Sequence, residues 1–252
     1  MVNVQGKYAL ITGASRGVGK QIALCMADLG CHVILHSREL AHTAELKAEL
    51  EKKSVKVFAV QAELSNQEQV QAMLKEIDSL VPQVDIVFNN AAVMTKYYPE
   101  FWTVPAEDYR LSFETNVIAI VNICQHFAPK MMANGFGRLV NTTSGIRQEP
   151  ELAAYSASKA ALTKYVQDIA PRLEGTGVTM NLLDPGWLRT DLGGPQAPNS
   201  VESSIPGAVL PALLENGVSG AWFSAQDYTG MSIEKAVEKA SMVKNPLLCV
   251  PA

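Results

Sequence analysis

Six short apolar runs alternate with helix-length periodic segments across the first 185 residues, and this alternation admits very few architectures. The runs read as strands at Tyr8–Thr12, His32–His36, Lys56–Gln61, Asp85–Asn89, Arg138–Thr143 and Thr179–Leu183. Helices are predicted at Gly17–Leu29, closed by Gly30 as a good C′ residue, and at Leu40–Lys53. A third is expected at Gln67–Leu80, with Ser65 or Asn66 as its N-cap. Ala106–Asn134 reads as one long helix or two consecutive ones, and Ala153–Glu174 as another long helix. Repeated β-α units with short connections imply an α/β fold: a parallel sheet with helices on both faces. Right-handed crossovers make that sheet doubly wound and put ligands at the carboxyl ends of its strands.

No linker or repeat divides this pattern, so the 252 residues are expected to form one domain spanning 1–252. The texture changes only at Gly193–Pro211, which carries four prolines and little periodicity; a substrate lid is expected over 193–215. A net charge of −4, without blocks of like charge, excludes a nucleic-acid or anionic-membrane partner. The start of the chain is too polar for a signal peptide, and no run approaches the roughly 18 apolar residues of a membrane span. Cys25, Cys31, Cys124 and Cys249 show no CxxC or metal spacing, which suggests a reduced, cytoplasmic protein. His32, His36, His42 and His126 are scattered, so no metal site is expected. Packing is the favoured role for Trp102, Trp187, Trp222 and the Tyr97-Tyr98 pair, although Trp187 and the tyrosines lie where substrate passes.

The first strand runs into Thr12-Gly13-Ala14-Ser15-Arg16-Gly17-Val18-Gly19, which opens the first helix. Glycines let backbone approach a phosphate closely, and a helix N-terminus offers unpaired N–H groups and a positive dipole end. Such a turn alone is weak evidence, because glycines close many strand–helix junctions. Its place in a βαβ unit near the N-terminus favours a dinucleotide, and with it a Rossmann-type sheet. The G-x-x-x-G-x-G spacing resembles the short-chain dehydrogenase/reductase family, in its single-domain branch of about 250 residues. The resemblance runs from about Gly6 to about Ala225 and implies that Gly13, Ser15, Arg16, Gly17, Val18 and Gly19 hold the cofactor.

The residue ending the second strand reads the adenosine ribose: an acid there favours NAD, an arginine nearby favours NADP. Ser37 occupies the family's acidic position, Arg38 follows it, and Arg16 lies in the glycine turn. Two guanidinium groups suit a 2′-phosphate, so NADP is expected. Glu39 competes but belongs to the next helix. Glu63-Leu64 stands where the family usually has Asp-Leu against the adenine, and Asn90-Ala91-Ala92 resembles the N-A-G of its N-N-A-G motif. Pro185, Gly186, Leu188 and Thr190 match its P-G-x-x-x-T segment, expected to hold the carboxamide and phosphates.

Tyr155 and Lys159, four apart, share one helix face. A tyrosine is sluggish as a proton donor at neutral pH, and a neighbouring ammonium lowers its pKa toward the working range. The resemblance makes these two the catalytic pair, with Lys159 also on the nicotinamide ribose. Aligning the fifth strand to the family's V-N-x-S-S pattern makes Ser144 the catalytic serine; Thr142 and Thr143 stand as alternatives. Asn116 matches the family's helix asparagine, a kink and water anchor; the competing reading is an asparagine satisfying local backbone. These residues imply an NADP-dependent oxidoreductase interconverting a carbonyl and an alcohol, acting on a small, moderately apolar substrate. A carbonyl-reductase-like member, assembled as a homodimer or homotetramer through the long helices, is expected. A non-catalytic NADP sensor is the alternative on the same fold. A nucleotide-sugar epimerase is disfavoured, because that branch has a different glycine spacing and a longer C-terminal domain.

Overall fold

A computed structural model describes residues 1–215 and 217–243 of the chain. Seven parallel strands form one sheet in the order β3-β2-β1-β4-β5-β6-β7. They are β1 (Tyr8–Ile11), β2 (His32–Ser37), β3 (Val57–Gln61), β4 (Ile86–Asn89), β5 (Gly137–Thr142), β6 (Val178–Asp184) and β7 (Trp222–Ser224). The strand order reverses between β1 and β4, which opens a crevice at their carboxyl ends.

Both faces of the sheet are apolar, as a parallel sheet requires. Along β1, Ala9 and Ile11 enter one core while Tyr8 and Leu10 enter the other. The first core is covered by α1 (Gly17–Asp28), α2 (Ala44–Leu50), α7 (Leu210–Leu213) and α8 (Ile233–Ala240). The second is covered by α3 (Gln67–Leu80), α5 (Ala119–Ala133) and α6 (Ala153–Ile169), through side chains such as Met73, Phe127 and Leu162. Residue 216 and the segment 244–252, which includes Cys249 and the end of the expected 1–252 domain, lie outside the described residues.

Several boundaries differ from the sequence expectation for local reasons. The helix expected over Leu40–Lys53 begins as a 3₁₀ turn, Leu40–Thr43, and α2 ends at Leu50. Asn66, not Ser65, caps α3, its Oδ1 accepting from Gln69 N–H at 3.1 Å. Gly30 closes α1 with φ +79°. The run Ala106–Asn134 is α4 (Ala106–Phe113) and α5 joined by a π turn over Glu114–Ile118. Pro171, lacking an N–H, ends the regular part of Ala153–Glu174 at Ile169.

The stretch 193–215, expected as one lid, divides in two. Ala208, Val209, Leu210, Ala212, Leu213 and Leu214 are buried in the first core, so this half is part of the foundation of the sheet. Ile205 ahead of them packs against the same core, and the residues from 193 to Asn199 belong to a loop running from Trp187 to Asn199. That loop is closed on itself: Arg189 N–H donates to Asn199 O at 2.9 Å, and Arg189 Nη1 reaches the Ala197 and Pro198 carbonyls.

Candidate active site

The glycine turn and the end of β4 meet in the crevice between β1 and β4. Gly13 has φ +66°, and a Cβ there would lie 2.9 Å from Ala91 Cα. A Cβ on Gly19 would sit 2.2 Å from Gly13 O and 2.7 Å from Asn90 Nδ2. Asn90 Nδ2 donates to Thr12 O at 3.1 Å, and Thr12 Oγ1 accepts from the N–H groups of Asn90 and Ala91. The turn is therefore locked to the β4 end, with α1 starting at Gly17 and Arg16 as its N-cap. No side chain caps that helix, so its first N–H groups stay available to an anion. The cradle fits a dinucleotide pyrophosphate.

At the end of β2, Ser37 is buried and its hydroxyl donates to Glu39 O at 2.6 Å, while Arg38 is exposed. Arg16 pairs with Asp191 at 3.1 Å, both side chains being largely exposed. An exposed pair of this kind is worth little and yields readily to a stronger anion. Glu63 turns its carboxylate back onto Ser65 N–H and Oγ–H, both at 3.3 Å, and Leu64 is buried. The carboxylate of Glu63 is thereby drawn into its own turn.

His36, read from the sequence as structural, is a strut of the cofactor cradle. Its Nδ1 accepts from Gly13 N–H at 3.3 Å, which leaves Nε2–H to donate to Ala62 O at 3.1 Å. Burial pushes its pKa down to about 4, against small opposing contributions from the Ala62 carbonyl and Glu63. The folded state thus holds neutral His36, while the unfolded chain protonates it near the usual 6.5. Stability is full above about pH 6.5 and declines as pH falls toward 4, by roughly 3 kcal/mol from this group. Thermal melts across that window are expected to fall more steeply for the wild type than for His36→Asn. Equal slopes would remove His36 from the acid sensitivity of the fold.

Tyr155 and Lys159 lie on the inner side of α6, both buried. Lys159 Nζ donates to Thr142 O at 2.7 Å and lies 5.7 Å from the centroid of the Tyr155 ring. Of the three hydroxyl candidates, Ser144 is the one whose hydroxyl acts on the Tyr155 phenol, favouring its ionised form. Thr143 Oγ1 instead faces Thr163 Oγ1 at 2.9 Å, and Thr142 contributes its carbonyl. Ser144 Oγ also accepts from Ile146 N–H at 3.2 Å. Asn116 sits in the π turn, fully buried. Its amide brackets Val93, with both bonds at 2.9 Å, and donates to Ser158 Oγ at 2.9 Å. The bonds to Val93 satisfy backbone of the β4–α4 loop, distant in sequence, and the bond to Ser158 joins that loop through Asn116 to α6.

Burial dominates the electrostatics. Burial, aided by the charge of Asp184, pushes the Tyr155 phenol up to about 12, against the Ser144 hydroxyl. Burial pulls Lys159 down to about 7, against the charge of Asp184. The expectation that Lys159 lowers the Tyr155 pKa is therefore not met in the protein alone. An ammonium that is itself losing its proton near neutrality does not offset the desolvation of the phenol.

The segment after β6 faces the glycine turn. Thr190 Cγ2 lies 3.5 Å from the place a Gly17 Cβ would occupy, and Thr190 Oγ1 accepts from Gly193 N–H at 2.9 Å. Gly186, with φ +83°, packs so tightly on Gln226 that a Cβ would come within 2.7 Å of its Cγ. Gln226 in turn donates to Pro185 O, and Leu188 is buried beneath the loop. Trp222 is buried as expected, but Trp102 and Trp187 are not core residues: they are 87% and 59% exposed. Tyr97 is exposed as well, and Tyr98 donates to Asp108 at 2.9 Å. The Trp102 ring rests on Phe101, centroids 4.6 Å apart, and Trp187 Nε1 donates to Gly193 O at 2.7 Å, so both pack on their own loops instead of in the core.

The residue that sequence reasoning passed over is Asp184, the last residue of β6, whose charge acts on both Tyr155 and Lys159. A carboxylate at a strand end directly before Pro-Gly was the available signal. Among the described residues, no group of three or more His, Cys, Asp or Glu side chains is placed to hold a metal. None of the described helices is long and apolar enough to cross a membrane.

Known proteins share this arrangement. Residues 7–200 match the family model described as short chain dehydrogenase. An NADPH-dependent aldehyde reductase-like protein, chloroplastic, of Arabidopsis thaliana is 30% identical over 200 residues, covering 74% of each chain. The crystal structure of YwfH, an NADPH-dependent reductase involved in bacilysin biosynthesis, is similar with a TM-score of 0.79 at 26% identity, covering 90% of this chain and 100% of the other. A 3-oxoacyl (acyl-carrier-protein) reductase from Agrobacterium tumefaciens C58, solved with NADP bound, is similar with a TM-score of 0.72 at 27% identity, covering 90% and 86%.

Proposed function

The chain belongs to the short-chain dehydrogenase/reductase family, and from that membership we propose how its own residues carry the chemistry: NADP(H)-dependent interconversion of a carbonyl and an alcohol, with Tyr155 as general acid and base. The observation that carries this reading is the convergence of the buried Tyr155 and Lys159 with the half-buried Ser144 at the carboxyl end of β5. NADP(H), when bound, supplies or accepts the hydride. In the reductive direction Tyr155 Oη–H gives its proton to the substrate oxygen. Ser144 Oγ–H donates to that same oxygen, stabilising negative charge where it develops. Lys159 stands beside the Tyr155 ring and would hold the nicotinamide ribose of the bound cofactor. Gly13, Ser15, Gly17, Val18 and Gly19 would hold the pyrophosphate, and Asn90, Ala91, Ala92, Pro185, Gly186, Leu188 and Thr190 would hold the rest of the cofactor. The adenine falls to Leu64 and the turn of Glu63.

The ribose 2′-phosphate falls to Arg16, released from Asp191, and to Arg38 beside Ser37. Each charge-assisted pair contributes about 2 kcal/mol, so replacing both arginines by alanine is expected to weaken NADPH use roughly 1,000-fold and leave NADH use nearly unchanged. A panel of ketones, aldehydes and alcohols assayed with both cofactors tests this and the reaction class together. Tighter use of NADH by the wild type would overturn the arginine assignment. Absence of turnover with any of them would favour the sensor.

The exposed rings of Tyr97, Trp102 and Trp187 support a moderately apolar carbonyl substrate, as in a carbonyl reductase, with the loop Trp187–Asn199 as the lid. Exposed Leu111 and Ile118 on the long helical run support assembly as a homodimer or homotetramer. The free, buried thiols of Cys25, Cys31 and Cys124 support a reduced, cytoplasmic setting.

A further inference from the structure

We infer that Asp184 is the counter-charge of the catalytic cluster: a positioning residue whose carboxylate stands beside the strand that holds the Lys159 ammonium and clamps the Pro185-Gly186 turn against the residue after Ser144. The inference rests on the roles given above to Ser144, Tyr155 and Lys159. Its own support is geometric. Leu183 pairs with Thr142, whose carbonyl holds the Lys159 ammonium, and Asp184 is the next residue of the same strand. Its Oδ1 accepts from Gly186 N–H at 2.9 Å. Its Oδ2 lies 2.8 Å from where a Gly145 Cβ would stand, so the carboxylate packs directly on Gly145. One carboxylate therefore ties the residue after Ser144 to the Pro185-Gly186 turn. A side chain at position 145 would strike it, which accounts for the glycine there.

The charge has a second task. Lys159 is buried, and desolvation favours its neutral form; Asp184 is the acid that opposes this. The other ionisable groups that act on the pair are Tyr155, from α6, and Asp227, from the turn after β7. Asp227 has the same sign as Asp184 and pushes it toward its protonated form, as burial also does, while Lys159 opposes both. Asp184 and Lys159 thus each favour the other's charged form, against a burial that leaves Asp184 raised and Lys159 lowered. Removing the carboxylate lowers the proton affinity of both Lys159 and Tyr155, so the coupled pair gives up its first proton at lower pH.

Asp184→Asn keeps an acceptor for Gly186 while removing the charge; Asp184→Ser is a second neutral replacement should the first fold poorly. NMR of isotope-labelled lysine in the cofactor-free protein, with the Lys159 signal assigned by its loss in Lys159→Arg, is expected to show its titration moving down by about one pH unit in either variant. The alkaline limb of the kcat/KM profile for carbonyl reduction is expected to move in the same direction. Asp184→Glu should retain the wild-type midpoint. Turnover that falls equally at every pH, with the Lys159 titration unmoved, would reduce Asp184 to a structural residue and overturn the inference. Because the titration is read without catalysis, an active Tyr155→Phe would overturn the catalytic reading without touching this result.

Discussion

Tyr155→Phe is expected to lose turnover by about a thousandfold or more while binding NADPH as the wild type does. Tyr155 is only 7% exposed, so phenylalanine fills the same space and the melting temperature should hardly change. What disappears is one O–H, the group on which the Ser144 hydroxyl acts. No neighbour replaces it. Lys159 is committed to Thr142 O, and Ser144 has an ordinary hydroxyl far too weak an acid to deliver a proton at neutral pH. Stopped turnover with intact cofactor binding, measured by nicotinamide fluorescence, separates proton transfer from binding. Retained turnover would move the chemistry to another group.

Gly19→Ala is expected to have the second large effect, and on a different quantity. The added methyl would lie 2.2 Å from Gly13 O and 2.7 Å from Asn90 Nδ2, and neither is the free end of a flexible side chain. Gly13 is held by His36 and by its packing on Ala91, so the turn cannot retreat without breaking those contacts. Overpacking of this kind costs roughly 3 kcal/mol. Displacing the turn also spoils the phosphate cradle, so NADPH affinity should fall about 100-fold. A thermal melt and a fluorescence titration read the two losses. Wild-type values for both would mean that α1 slides along its axis at no cost.

The sheet was legible because each of its first six strands is a short apolar run bounded by turn residues, and the glycine turn marked where the crevice opens. β7 was not, because Trp222-Phe223-Ser224 is three residues long and becomes a strand only by pairing with Leu182–Asp184. The π turn at Glu114–Ile118 leaves no signature in a hydrophobic pattern that continues through it. Pro206 and Pro211 suggested a mobile segment, yet the apolar residues between them turn into the core. Tyr155 and Lys159 were visible through their spacing on one helix. The partners of Glu63 and Arg16 were not, since a carboxylate that folds back onto Ser65 and a guanidinium that meets Asp191 are contacts made in three dimensions. Asp184 escaped for a related reason: its task lies across strands, at Gly145 and Lys159, rather than along its own segment.

The loop from Trp187 to Asn199 leaves and re-enters the body at a single point, where Leu188 bridges Asn199. Its interior bonds, from Arg189 to Ala197 and Pro198 and from Trp187 Nε1 to Gly193 O, run from loop to loop rather than from loop to sheet. Such a segment is a cassette. Past Thr190 its residues can drift, or be exchanged together, while the scaffold that holds cofactor and proton donor is inherited unchanged.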